Sequence, residues 1–358
     1  MRLSQRVIQR LPKTDIHCHL DGCVRPRTML ELADAQGVRL PTKNLTRLTR
    51  ILQAGKRTRN LGDYLKIFDY TLSVLQEKEA LYRVSYELVE DAAAENVRHL
   101  EVRFSPILHQ KKKLAFEDIV EAVISGLNDA GRKLGVSTGV IICGIRSLDP
   151  EVSLALAELA VAYKGKGVLA FDLAGQEKDY PAKAHRAAFQ LILKNNINST
   201  VHAGEAFGPE SIGQALHYCG AHRIGHGTRL REDPDLMRYV NDHRVPLEVC
   251  ISSNVQTRAV SDVREHPFHY YFRNGLRVTL NTDSRLISAT SVTNEIAVAA
   301  RAFKLSPYEV KKIIINGFKS AFLPYAEKAR LLRLVTLEVD RIFMEEFPSE
   351  YDRGATGL

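Results

Sequence analysis

One pattern constrains the fold of this chain more than any other: short runs rich in β-branched residues alternate with longer stretches whose apolar residues recur every three to four positions. The strand-like runs are TDIHCHL (14–20), VRHLEVRFS (97–105), STGVIICG (137–144) and GVLAFDLAG (167–175), then STVHAGE (199–205), RIGHG (223–227), PLEVCISS (246–253) and LRVTLNTDS (276–284). Between them, Leu81, Val84, Leu88 and Ala92 repeat at helical spacing, and GPESIGQALHYCG sets Pro209 at a helix start and Gly220 just past its end. Eight strands separated by helices in 358 residues predict an α/β (β/α)8 TIM barrel as a single domain. An open doubly wound sheet would normally bring a Gly-rich phosphate loop after an early strand, and none is present. The long excursion over 27–80 predicts a helical insertion after the first strand. The domain is expected to span 1–345, with 346–358 as a flexible tail.

Bulk properties narrow the class. Apolar residues make up 45%, enough for a substantial core. The formal charge of +8 raises the question of nucleic acid, but the basic stretches at 43–60 and 111–113 are interrupted or short and lack interleaved aromatics. They read as solvated faces. The five cysteines are an odd number with no CxxC pair, which predicts reduced thiols in a cytoplasmic protein. The N-terminus has no long apolar segment and no later run approaches the ~20 apolar residues of a membrane span. A small-molecule partner is expected, with neither nucleic acid nor membrane.

The polar residues gather at strand ends. In KTDIHCHLDG, strand alternation sends His17, His19 and Asp21 to one face and Cys18 to the other. HAGE supplies His202 and Glu205, GHG supplies His226, and NTDS supplies Asp283. Active sites on this fold lie at the C-terminal rim of the barrel, where all of these residues would converge. Three imidazole nitrogens and a carboxylate oxygen suit Zn²⁺ with an open position, and Fe²⁺ or Mn²⁺ would accept the same donors. Such a metal lowers the pKa of a bound water to about 7. His226 is then placed to orient or deprotonate that water, and Glu205 to deliver a proton, with helix N-terminal capping as its alternative role. The remaining histidines (99, 109, 185, 217, 222, 243, 266 and 269) read as packing or surface residues.

Taken jointly, DIHCHLDG, DLAGQE, HAGE, RIGHG, EVCISSN, HPF and LNTDS resemble, in order and spacing, the adenosine deaminase family of metal-dependent amidohydrolases. The resemblance runs over nearly the whole chain. It implies one zinc ion per chain on His17, His19, His202 and Asp283, Glu205 as proton donor to purine N1, and His226 as the residue positioning the hydroxide on the zinc. It also implies that His19 and Asp21 face the ribose hydroxyl and that the backbone of Gly175 reaches purine N3. YLKIFDY resembles the family's gating helix, making Tyr64, Leu65 and Phe68 the apolar wall of the purine pocket, although plain core packing fits their spacing too. One departure stands out: where better-known members carry two successive aspartates, this chain has Asp283–Ser284. Ser284 is expected to donate a neutral hydrogen bond to purine N7. The implied activity is zinc-dependent hydrolytic deamination of adenosine or 2′-deoxyadenosine. Alternatives are 6-aminodeoxyfutalosine, adenine or AMP, with the Asp21 carboxylate set against a phosphate. A nucleic-acid deaminase would show the His-x-Glu…Pro-Cys-x-x-Cys pattern, which is absent, and a non-catalytic barrel would not need Glu205 and His226.

Overall fold

The computed structural model describes residues 3–55 and 58–348. Parallel strands hydrogen-bond in sequence order: β1 (Lys13–His19), β2 (Val97–Phe104), β3 (Ser137–Ile145), β4 (Val168–Ala174), β5 (Asn198–Ala203), β6 (Arg223–His226), β7 (Leu247–Val249) and β8 (Val278–Leu280). Helices run between them, and the architecture is the expected (β/α)8 barrel. Lys78–Ala94 buries Leu81, Val84, Leu88 and Ala92, the face its pattern marks as apolar. The insertion after β1 is helical, with Pro26–Gln36, Leu45–Leu52, Leu61–Leu65 and Phe68–Val74. Within its basic stretch Leu48 and Leu52 face inward while Arg47 and Arg50 stay exposed, as a solvated helix face requires. Lys56 and Arg57 of that stretch lie outside the described residues.

The seam between β8 and β1 is closed by a few specific bonds. His19 N–H donates to the Asp283 carbonyl (2.7 Å) and Asp283 N–H to the His17 carbonyl (2.8 Å). Nearby, Ile16 N–H donates to Asn281 Oδ1 (3.0 Å) and the Thr282 hydroxyl to Asp15 (2.6 Å). The bonds that close the barrel therefore also clamp Asp283 against the two histidines of β1.

The last two strands are shorter than their apolar runs. After Val249 the chain turns at Cys250 into a helix, Ile251–Gln256, so Ile251, Ser252 and Ser253 are helical and not extended as PLEVCISS suggested. After Leu280 it enters a turn in which Asp283 takes φ +60°, a conformation incompatible with a continued strand. At the C-terminus, Glu346 closes the helix Tyr325–Glu346, and Phe347 is buried with its ring 6.0 Å from that of Phe343. The rest of the expected tail, 349–358, lies outside the described residues. All five cysteines are buried and free, and Cys18 turns to the core as strand alternation predicted. No described helix is long and apolar enough to cross a membrane.

Candidate active site

His17, His19, His202, His226, Glu205 and Asp283 meet at the C-terminal rim. His19 and His202 approach to 3.1 Å between their Nε2 atoms, and Asp283 Oδ1 lies 3.5 Å from His19 Nε2 and 3.9 Å from His17 Nε2. Two triads have donor atoms within 4.8 Å of one another: His17, His19 and Asp283, and His17, His202 and His226. His17 is fully buried, yet its Nε2 has no hydrogen-bond partner. A buried polar atom left in this way is costly unless something unseen satisfies it, and a metal ion among these donors does so.

The residues behind the cluster prepare it for a cation. His17 Nδ1 donates to Glu248 (2.8 Å) and His202 Nδ1 to Asp172 (3.0 Å), so both rings turn a bare Nε2 inward. Burial drives the pKa values of His17 and His19 well below that of free histidine, keeping their lone pairs available. Arg103, fully buried, donates to Asp172 (2.9 Å), Glu248 (2.8 Å) and the Ile16 carbonyl (2.8 Å). Burial opposes charge on Glu248, but Arg103 and Arg223 outweigh it and hold its pKa at about 2. On Asp283, the Ser253 hydroxyl occupies Oδ2 (2.5 Å) and leaves Oδ1 toward the histidines.

Glu205 lies beyond the end of β5. It accepts from the Thr257 hydroxyl (2.9 Å) and the Asn254 amide (3.3 Å), while its other oxygen lies 3.5 Å from His226 Nε2. Burial raises its pKa to about 7. It caps no helix: the next one, Pro209–His217, starts beyond it with Gly208 at its cap. The loop that carries Glu205 is held by Glu177, whose carboxylate accepts from the backbone N–H groups of Gly204 (2.5 Å), Glu205 (3.0 Å), Ala206 (2.6 Å) and Phe207 (2.9 Å). His226, like Asp283, has positive φ (+63°). Non-glycine residues held there cost roughly 1–3 kcal/mol and cluster at functional sites.

These groups open onto a cavity of about 370 Å³, lined among others by His19, Asp21, Tyr64, Leu65, Phe68, Gly175, His202, Glu205, His226 and Asp283. Tyr64 is fixed by a hydrogen bond between its hydroxyl and Ser288 (2.8 Å), and the Phe68 ring edges toward His19. Gly175 presents backbone to the cavity at φ +100°, a conformation that favours glycine. Asp21 is buried with Oδ1 unpartnered; burial, with the Asp283 charge adding, raises its pKa to about 7. Ser284, expected to meet purine N7, is fully buried and is not among the residues lining the cavity; its Oγ lies where a Cβ on Gly22 would come within 2.3 Å, and it has no hydrogen-bond partner among the described residues.

Several residues of the constellation carried no readable signal of their own: Glu177, Asp172, Glu248, Arg103, Ser253, Asn254, Thr257 and His266. Glu177, Asp172, Glu248, Ser253, Asn254 and His266 fall within the quoted motifs DLAGQE, EVCISSN and HPF, but a carboxylate or amide acting through a histidine on another strand has no spacing rule. His266, read as a packing or surface histidine, is buried with its Nε2 3.1 Å from Asn254 Oδ1.

The family model for adenosine deaminase matches residues 12–337. The chain belongs to the adenosine deaminase family. An adenosine deaminase of Clostridium acetobutylicum is 38% identical over 333 residues, covering 93% of this chain and 99% of that protein. A probable adenosine deaminase of Dictyostelium discoideum is 40% identical over 327 residues, which are 91% of this chain but 42% of that longer protein. Among solved structures, adenine deaminase from Arthrobacter aurescens superposes with a TM-score of 0.86 at 26% identity, covering 92% of this chain and 98% of that one. Membership of the adenosine deaminase family makes the chain an enzyme of the hydrolytic deaminase class, built on the amidohydrolase barrel.

Proposed function

We propose that the protein hydrolyses the 6-amino group of adenosine and 2′-deoxyadenosine, releasing ammonia and the inosine product, with one zinc ion per chain held by His17, His19, His202 and Asp283. The observation that carries this reading is the placing of Glu205, a carboxyl group with pKa near 7, on the same cavity as that donor cluster. Zinc bound there would supply a hydroxide equivalent at neutral pH. Glu205 then gives its proton to purine N1, the position where charge develops in the transition state. His226 orients the attacking oxygen, the Gly175 N–H meets N3, and Tyr64, Leu65 and Phe68 exclude water from the purine face. His19 and Asp21 meet the ribose, whose hydroxyl satisfies the unpartnered Asp21 Oδ1. A phosphate beside Asp21 would meet like charge when that carboxyl group is ionised, which disfavours AMP. The buried free thiols fit a cytoplasmic enzyme.

Adenine is the second reading, because the Arthrobacter aurescens protein described as an adenine deaminase shares the fold at 26% identity. Ammonia release from adenosine, deoxyadenosine, adenine, AMP and aminodeoxyfutalosine separates the readings, with the highest kcat/KM expected on the two nucleosides. A preference for adenine or AMP would replace the proposal. Metal analysis run alongside should find about one zinc per chain, lost in His17→Ala and His202→Ala. Full occupancy in those variants would remove the ligand assignment.

A further inference from the structure

Behind Glu205 and His226 lies a buried hydrogen-bond chain whose direction is set from its outer end. At the outer end, the Phe268 N–H donates to His266 Nδ1 (3.0 Å), so that nitrogen carries no proton. The His266 hydrogen therefore sits on Nε2 and is donated to Asn254 Oδ1 (3.1 Å). That acceptor fixes the amide orientation, and the Asn254 Nδ2 so placed donates to Glu205 Oε1 at the inner end (3.3 Å). The same Nδ2 also lies 3.0 Å from His226 Nδ1, and an amide nitrogen donates but does not accept. His226 Nδ1 is thus bare, and the single ring proton lies on Nε2, 3.5 Å from Glu205 Oε2 and on the cavity side.

We infer that His266 and Asn254 are positioning residues: they lock His226 in the Nε2–H tautomer, so that His226 serves the reaction as a hydrogen-bond donor and not as a base. The same amide, together with the Thr257 hydroxyl, occupies Glu205 Oε1 and leaves Oε2 as the oxygen that carries the transferable proton. What the donor serves rests on the deaminase reading above; the tautomer itself does not.

The test separates the two. In the wild-type protein with ¹⁵N-labelled histidine, the His226 ring, assigned by the signals lost in His226→Gln, should show a pyridine-type Nδ1 and a pyrrole-type Nε2. The pattern is read with and without added zinc, and it judges the tautomer even if no 6-aminopurine is turned over. Asn254→Asp replaces the amide donor with an acceptor and should invert the pattern. It should also lower kcat by ~10²–10⁴, the scale on which a wrong histidine tautomer acts in other enzymes, while KM changes less than about threefold. His266→Phe removes the outer anchor and should give mixed tautomers, whereas His266→Gln, which can still donate, should recover part of the lost kcat. A pyrrole-type Nδ1 in the wild-type protein would overturn the inference whether or not the variants fold. So would an unchanged His226 pattern in folded Asn254→Asp, or equal kcat in His266→Phe and His266→Gln.

Discussion

Glu205 joins two properties that rarely coincide in a carboxylate: it is buried, and it keeps two hydrogen-bond donors on one oxygen while the other faces the cavity. Burial raises its pKa to about 7, so the acid form is plentiful below that pH and drains away above it. For a group that must donate a proton, kcat/KM should therefore fall as pH rises through about 7. Glu205→Gln keeps the shape, and its kcat should drop by ~10²–10⁴ with zinc content and substrate affinity retained. Steady-state kinetics beside metal analysis would show this, and near-normal turnover would take Glu205 out of the mechanism. Ser284 makes the opposite kind of prediction. Its hydroxyl is buried beside Gly22 and off the cavity lining, which argues against a bond to purine N7. Ser284→Ala should change kcat/KM by the same factor on adenosine and on 7-deazaadenosine. A loss on adenosine alone, of the two- to twelvefold that a neutral hydrogen bond of ~0.5–1.5 kcal/mol carries, would restore the N7 contact.

Among the elements, the segments that follow the strands do more than the strands to set the site. The loop after β5 points four successive N–H groups at the Glu177 carboxylate, and this one side chain defines where Glu205 can be. Glu177→Ala would leave these buried donors without an acceptor, at ~1–3 kcal/mol for each one that water fails to reach. The variant should melt at a lower temperature and lose kcat, and Glu177→Gln, with one acceptor oxygen left, should fall between it and the wild type. Thermal melts beside kcat measurements would decide, and a Glu177→Ala enzyme with unchanged kcat would show that the loop positions itself. The helix Ile251–Gln256 plays a comparable part, placing Ser253 on Asp283 and Asn254 on both Glu205 and His226. Reading 246–253 as one continuous strand concealed this, because apolar content alone does not distinguish a strand end from the helix turn that follows it.

Over the whole molecule, the barrel interior is crossed by a buried ionic network. Arg223 donates to Glu101 (2.6 Å) and Glu248 (2.5 Å), and Arg103 links Glu248 to Asp172. Burial pushes the Glu101 pKa up, but Arg223 and His99 more than offset it and hold it at about 2 in the folded protein, below the ordinary 4.5. A carboxylate depressed on folding stabilises fully above its unfolded pKa, and that stability drains away as pH falls through the folded value. Stability should thus be steady above about pH 4.5 and decline from there toward pH 2. Glu101→Gln breaks a buried pair and should cost ~3–5 kcal/mol at pH 7 while flattening the acid decline. Denaturant unfolding at a series of pH values would measure both, and an unchanged acid slope in Glu101→Gln would show that the network does not govern acid stability.

What the amino-acid order determined by itself was periodic or local. The eight-fold alternation of strand and helix patterns dictated the barrel, because side-chain periods of 2 and 3.6 leave few other ways to bury these residues. The histidines and carboxylates at strand ends could be assigned to one rim, because parallel barrel strands all end there. Tertiary structure alone decided whatever depends on a side chain's direction beyond its strand. The turn at Asp283 sent Ser284 into the protein, and the helix after β7 delivered Asn254 to two partners, at the end of β6 and beyond the end of β5. Arg103, one residue in β2, came to tie together the carboxylates behind His17 and His202. Such contacts join residues 28 to 231 positions apart and follow from closure of the barrel, which no local pattern records.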